Sequence, residues 1–318
     1  VRVSSADEER DGVALTHLDQ PLFEGADATK RDLIDYLDAI SERMIPCLRD
    51  RPLSVIRILR GREQFMQKNV PKYTPDWVRT FTMWAEASHR DVSYAVCDDR
   101  RTLLWLGNQR AVEFHPALVT TAALDHPSYL VLDLDPPEGS TFTPVTQTAF
   151  LVRAALESLG LTGYVKTSGS KGVHILVPLV AGISLADASA ATRAIAARAA
   201  KLDPAVATTA FIKDDRDGKV FVDPTRVGGA TVVSTFSPRI RPGTPVSFPV
   251  SWDSLADVSP SDFRVRNAAT MASPWSMADW SVQDLPSALV EEGHAIPIPR
   301  VQAMHEGKKR ARARRTAP

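Results

Sequence analysis

Cysteine is nearly absent: only Cys47 and Cys97 occur in 318 residues, with no C-x-x-C pair. That excludes a disulfide framework and a cysteine-ligated zinc site, and it leaves two reduced core thiols as the expectation. Long apolar runs are missing as well. No stretch approaches the ~18 consecutive apolar residues of a membrane span. Val1 to Asp11 is polar and has neither the basic nor the apolar region of a signal peptide, so the expected setting is cytoplasmic with no membrane partner. Net charge is also absent, since 38 Lys and Arg balance 38 Asp and Glu. The balance is uneven, however. Lys308, Lys309, Arg310, Arg312, Arg314 and Arg315 crowd one end, either as a solvated tail or as a source of weak, salt-sensitive attraction to nucleic acid. There is no internal repeat. With 44% hydrophobic and 24% charged residues, the chain has the material for one large domain or two modest ones.

Local patterns predict irregularly alternating helices and strands. Thr29-Lys30-Arg31-Asp32 reads as a capping box ahead of Leu33, Ile34, Leu37, Ile40 and Met44 at helical spacing, giving a helix to about Pro46. Leu53 to Leu59 reads as a buried strand, and Ser93–Val96 with Thr102–Leu106 as a hairpin around Asp98-Asp99-Arg100. Two amphipathic helices are expected over Pro144–Leu159, stopped by Gly160, and over Ser184–Lys201, stopped before Pro204. After Arg239 the chain turns proline-rich and is expected to wrap the core. The mixture points to an α+β (mixed α/β) fold with acids on neighbouring strands rather than a uniform doubly wound sheet.

What is present in strength is a strand that ends in acids. Leu130-Val131-Leu132-Asp133-Leu134-Asp135 precedes Pro136-Pro137. Side chains at i and i+2 of a strand share a face, and two carboxylates about 6 Å apart repel by roughly 2–3 kcal/mol at an effective dielectric of ~20. A cation between them removes that cost; the alternative is a pair of acids that merely caps a strand. A second strand, Lys219 to Val222, ends in Asp223. Between them lies Tyr164 to Pro178, with two apolar strands around Ser168-Gly169-Ser170-Lys171-Gly172. Such a turn suits phosphate oxygens, through glycine backbone, the Ser168 and Ser170 hydroxyls and the Lys171 charge, or it is an ordinary loop. It is not a P-loop, because Ser170-Lys171 reverses the Lys-[Ser/Thr] order of that motif.

Carboxylates on two strands suit a pair of Mg²⁺ or Mn²⁺ ions in nucleotidyl transfer. His174 is either a ligand or a packed strand residue. Arg239 is a candidate second phosphate clamp, its alternative a surface ion pair. His115 lines a nucleotide pocket or ends a helix.

Asp133-Leu134-Asp135-Pro136, Ser168-Gly169-Ser170-Lys171-Gly172-Val173-His174 and Phe221-Val222-Asp223, in that order, resemble the polymerase domain of bacterial DNA ligase D, of the archaeo-eukaryotic primase superfamily. Similarity extends through Asp32–Tyr36, Leu48–Leu53, Phe65–Lys68, Pro75–Val78 and Pro249–Trp252. The resemblance implies a primase-type two-layer core over residues 14–290, a flexible stretch at 1–13 and a flexible basic tail at 291–318. It implies metal binding by Asp133, Asp135 and Asp223, with Ser168, Ser170, Lys171, His174 and Arg239 around an incoming NTP or dNTP and His115 near its sugar. Phe65 would stack on the template base and Lys68 would hold the DNA backbone or a 5′-phosphate. The implied activity is template-dependent extension or filling of gapped or broken DNA ends, with Ku or a separate ATP-dependent DNA ligase as partner and a nucleoid-associated location. The rival readings are a metal-dependent nuclease or phosphatase and a non-catalytic DNA-end-binding module.

The sequence departs from the family pattern in four places. Met66 follows Phe65 where many members have a second aromatic, and Asn69 stands where many have histidine. Pro224-Thr225-Arg226-Val227 replaces an aromatic followed by a Gln-Asn pair, which suggests Arg226 in place of an amide contact to nucleotide. The ligase nucleophile motif K-x-D-G is lacking, Lys213-Asp214-Asp215-Arg216 failing at its last position; a stand-alone polymerase that leaves sealing to another protein is the expectation.

Overall fold

Thr29 starts the first helix by exchanging hydrogen bonds with Asp32. Its hydroxyl accepts from the Asp32 N–H (3.2 Å), and Asp32 Oδ2 accepts from the Thr29 N–H (2.6 Å), which satisfies two N-terminal donors reciprocally. This computed structural model of the protein describes residues 7–85, 89–227, 231–275 and 280–298. The basic stretch Lys308–Arg315 lies outside the described residues.

The elements follow in the order β1 (Glu8–Arg10), β2 (Val13–Leu15), α1 (Lys30–Leu48), β3 (Leu53–Arg57), β4 (Phe65–Gln67), β5 (Thr80–Ala85), β6 (Arg90–Ala95), α2 (Arg100–Asn108), β7 (Ala111–Pro116), β8 (Val119–Thr120), β9 (Ala123–Pro127) and β10 (Tyr129–Asp135). Then come α3 (Thr143–Glu157), β11 (Tyr164–Thr167), β12 (Val173–Pro178), α4 (Leu185–Leu202), β13 (Ala207–Thr208), β14 (Val220–Asp223) and α5 (Ser287–Ala295). The fold is mixed α/β, as the sequence predicts, and no described helix is long and apolar enough to cross a membrane.

Two local expectations change. The helix that begins at Thr29 continues past Pro46 to Leu48, because Ile45, Cys47 and Leu48 are buried around the proline and packing holds the turn despite the missing N–H. Thr102–Leu106 is helical instead of the second arm of a hairpin. Asp99 caps α2, its Oδ1 accepting from the Thr102 N–H at 2.7 Å, and Leu103, Leu104, Trp105 and Leu106 are all buried. A short run of consecutive apolar residues reads equally well as strand or helix, and the cap decides.

The chain divides into two compact units. The first gathers the described residues of Val1–Leu124, Lys166–Lys171 and Thr231–Trp280. Its central strand, β3, pairs antiparallel with β4 and β7 and touches β6, which pairs with β5. Helices α1 and α2 pack on each other and against β7. The proline-rich stretch after Arg239 belongs here through bridges Pro238↔Val246, Pro245↔Arg264 and Lys166↔Pro249. Phe248 stacks on Phe263 at 4.5 Å, and the Tyr36 hydroxyl donates to the Phe236 carbonyl (2.7 Å).

The second unit gathers the described residues of Asp125–Val165, Gly172–Ala230 and Ser281–Pro318. Its strands β12, β10, β14 and β13 follow in that order in the sheet, with α3 and α4 packed on β10 and β14 and α5 on α4. All of β10 except Asp135 is buried, which is why Leu130-Val131-Leu132 reads as a continuous apolar run.

Candidate active site

Strand pairing brings the three acids together. In the antiparallel register of β10 with β14, Asp133 stands directly opposite Asp223, and Asp135 opposite Phe221. One oxygen of each of Asp133, Asp135 and Asp223 lies within 4.8 Å of the others. Like charges directly across a ladder are destabilising, and Asp133 and Asp223 are 7% and 5% exposed, so water does little to relieve them.

The cluster is partly compensated by bases from the same unit. His174, opposite Asp133 in the β10–β12 register, places Nε2 3.2 Å from Asp133 Oδ1. Arg226 donates to Asp133 Oδ2 through Nε (2.9 Å) and Nη2 (2.8 Å), and its Nε also lies 3.3 Å from Asp223 Oδ2. Thr225 completes Asp223, its N–H (2.8 Å) and hydroxyl (2.6 Å) both donating to Oδ1. Burial works against the charge on Asp133, yet His174 and Arg226 hold its carboxyl well below the usual range. The Asp135 carboxylate makes no hydrogen bond or ion pair among the described residues, and burial followed by the charge of Asp133 pushes it up to about 6. Arg216 adds a positive field felt by Asp135 and Asp223, though its guanidinium is hydrogen-bonded to the Ala210 and Phe211 carbonyls.

The residues fit a divalent metal. Three hard oxygen donors converge from adjacent strands, and burial together with the charge of Asp133 raises Asp135, a cost that a cation among the three would relieve. The sequence placed His174 among nucleotide contacts; in the structure its ring is against Asp133. Arg226, read as a nucleotide contact, is an ion-pair partner of two of the acids.

In the first unit a second polar cluster forms around Glu113 on β7. Glu113 and His115 share a strand face by the i, i+2 rule, and His115 Nε2 lies 3.0 Å from Glu113 Oε2. His115 is therefore within a strand and ends no helix. Arg239 Nε is 3.1 Å from the same oxygen, and the Ile240 N–H donates to Oε1 (2.9 Å). The Arg239 ion pair is buried rather than a surface one, the two side chains being 14% and 2% exposed. Burial opposes the charge on Glu113, but His115, Arg239 and the Ile240 N–H bring its carboxyl down to about 2. Burial pulls His115 downward, with Glu113 acting the other way.

The hydroxyl-rich turn joins this cluster. Arg239 Nη1 donates to the Ser168 carbonyl (2.5 Å), the Ser170 N–H donates to Ser168 Oγ (3.2 Å), and Arg241 Nε donates to Ser170 Oγ (3.3 Å). Gly169 has φ +67°, and a Cβ there would lie 2.7 Å from Arg239 Cγ and from the Ser247 nitrogen. The close approach that Gly169 permits is thus to the protein's own Arg239 and backbone. Lys171 is exposed, without a hydrogen bond or ion pair among the described residues.

On β4, Phe65 is 39% exposed with the Arg57 guanidinium 5.8 Å from its ring centre, and Met66 beside it is 46% exposed. Lys68 is exposed, whereas Asn69 is engaged, accepting from the Ser93 N–H at 2.9 Å. Sequence reasoning missed Glu113 and Arg241. The i, i+2 pairing of Glu113 with His115 was an available signal; nothing local marks Arg241.

The sequence profile described as LigD, primase-polymerase domain, matches residues 29–276. The chain is 34% identical over 256 residues to the bifunctional non-homologous end joining protein LigD of Bacillus subtilis, covering 79% of this chain and 41% of that protein. It is 32% identical over 250 residues to the multifunctional non-homologous end joining protein LigD of Mycolicibacterium smegmatis, covering 77% and 32% respectively. The chain therefore spans less than half the length of these relatives. Its structure is similar to the polymerase domain of Mycobacterium tuberculosis Ligase D in complex with DNA, with TM-score 0.75 and 29% identity over 83% of this chain and 94% of that one. With its three acids on adjacent strands and a profile match across most of its length, the chain belongs to the LigD primase-polymerase domain family.

Proposed function

We propose that this chain is a metal-dependent nucleotidyltransferase that extends or gap-fills DNA ends from a template. The observation that carries the reading is the convergence of Asp133, Asp135 and Asp223 within 4.8 Å in a member of this family. The relatives' names, which specify non-homologous end joining, and the DNA in the similar solved structure support broken DNA as substrate.

Asp133, Asp135 and Asp223 would hold Mg²⁺ or Mn²⁺, which supplies charge neutralisation for an attacking hydroxyl and a departing pyrophosphate. The rest is the work of the chain. His174 orients Asp133 through Oδ1, and Thr225 fixes Asp223 through two donors on one oxygen, so two of the three acids are oriented by neighbours. In the first unit, Glu113 holds Arg239, and Arg239 in turn braces the Ser168 carbonyl, which fixes the turn that offers the exposed Lys171 ammonium to phosphate oxygens. Phe65 offers an exposed ring for base stacking, tolerant of sequence, and Lys68 a charge for the DNA backbone.

The test is extension of a labelled primer across a short gap bearing a 5′-phosphate, with Mn²⁺ or Mg²⁺ and each of rNTP and dNTP, beside Asp135→Asn. Nucleotide addition that disappears in the variant supports the reading. Shortening of the primer instead establishes a nuclease, and binding without any change establishes an end-binding module.

A further inference from the structure

Arg226 engages two of the oxygens, Asp133 Oδ2 and Asp223 Oδ2, that a metal shared between Asp133 and Asp223 would draw on. A carboxylate oxygen offers about two lone-pair sites. Both sites on Asp133 Oδ2 are taken by Arg226, through Nε at 2.9 Å and Nη2 at 2.8 Å. Both sites on Asp223 Oδ1 are taken by Thr225, which leaves Oδ2, itself 3.3 Å from Arg226 Nε. Asp133 Oδ1 faces His174 at 3.2 Å. Only Asp135 keeps its carboxylate free of hydrogen bonds and ion pairs among the described residues. A guanidinium and a divalent cation thus claim the same lone pairs.

We infer that Arg226 is an internal counter-ion that competes with the divalent metal, so that metal binding at Asp133 and Asp223 is coupled to release of its guanidinium. The inference rests on the metal-site reading above. Three features of the structure fit an exchangeable group. Arg226 lies three residues beyond Asp223 on the segment after β14, so it stays tethered when displaced. Its side chain is 33% exposed, against 10% and 7% for the two aspartates, so the freed guanidinium reaches water without crossing the core. Thr225 holds Asp223 through the opposite oxygen, so the acid keeps its place while Arg226 leaves. Arg226 is then a positioning residue: it keeps mutually repelling acids together until a dication takes over, and it sets how tightly the site binds metal.

The test is calorimetric titration of Mn²⁺ alone into the full chain, for wild type, Arg226→Gln and Arg226→Lys, with thermal unfolding measured in chelator and in saturating Mn²⁺. The expected result is tighter binding in Arg226→Gln by at least about tenfold, equivalent to about 1.4 kcal/mol. Arg226→Lys, which keeps the charge but loses the fork, falls between. The metal-induced rise in Tm is expected to be larger in both variants than in wild type, because the metal-free acids have lost their partner. Wild type carries its own readout, a shift of the Arg226 Nε–H resonance on saturation with Mg²⁺, which holds if Arg226→Gln fails to fold. Equal or weaker Mn²⁺ affinity in the variants, or an unchanged Arg226 resonance at saturation, overturns the competition while leaving the metal site standing. Absence of Mn²⁺ binding in wild type and variants alike overturns the metal-site reading and the competition with it.

Discussion

Each unit of the molecule contains a carboxylate on a sheet strand with a histidine and an arginine against it, and the two trios have opposite characters. In the first unit Glu113 meets His115, Arg239 and the Ile240 N–H, so one acid is answered by three partners. In the second unit Asp133 meets His174 and Arg226, but Asp223 and Asp135 share the same small volume, so the bases are outnumbered. The pKa directions register the difference: Glu113 is brought down to about 2, whereas Asp135 is pushed up to about 6 by burial and its neighbours. The same three side-chain types therefore make a closed structural brace in one place and an electrically unfinished site in the other. What separates them is the number of acids per base, since an excess buried charge is tolerated only where a cation is available.

Breaking the comparison on its open side has the largest expected effect. Asp135→Asn removes a carboxylate of the proposed metal site that has no side-chain partner among the described residues, so metal-dependent nucleotide addition is expected to vanish. Thermal unfolding without metal is expected at an unchanged or higher temperature, because one repelling charge is gone. A fall in metal-free Tm instead of a rise counts against the excess of negative charge.

On the closed side, Glu113→Gln is expected to cost about 3 kcal/mol in denaturant unfolding at neutral pH, since it leaves the buried Arg239 guanidinium without its counter-charge. The pH dependence follows from the sign of the shift. The Glu113 carboxyl is depressed from its ordinary 4.5 to about 2. Its stabilisation is thus fully present above about pH 4.5 and is lost as pH falls toward 2. The wild-type advantage over Glu113→Gln should shrink across that window, and an advantage independent of pH rules out the charged brace.

Gly169→Ala sharpens the link between the brace and the turn. A side chain at φ +67°, within 2.7 Å of Arg239 Cγ, is expected to destabilise by about 1–3 kcal/mol. It should raise KM for nucleotide as well, as Ser168 and Ser170 shift. Lys171→Ala is the smallest in stability, within about 0.5 kcal/mol of wild type because the side chain is exposed and makes no ion pair among the described residues. Its expected effect is a higher KM for NTP at similar kcat, measured by steady-state extension; an unchanged KM removes it from phosphate binding.

Much of the second unit's site was legible because its signals are local. Leu130 to Asp135 and Val220 to Asp223 announce strand and acid together, since a buried strand is a continuous apolar run and the carboxylates stand at its end. The capping boxes and breakers placed α1, α3 and α4 to within a few residues. Where local signals compete the reading failed, as at Thr102–Leu106, whose short apolar run suits strand and helix alike until Asp99 is recognised as a cap. For Glu113 the i, i+2 spacing to His115 places the two on one strand face, but only its 2% exposure shows that its charge needs partners.

Residue type, spacing and strand pattern alone determined that this chain carries three acids at strand ends, a small basic turn and a mixed α/β fold. These follow from side-chain alternation and backbone preference over a few residues. Only the tertiary structure decided that Asp133 faces Asp223 across 90 positions of sequence, that Arg226 bridges them and that Arg239 answers to Glu113. Those contacts depend on strand register and burial, and the sign and strength of an electrostatic interaction in a folded protein are set by which charges are desolvated together, not by which lie near one another in the chain.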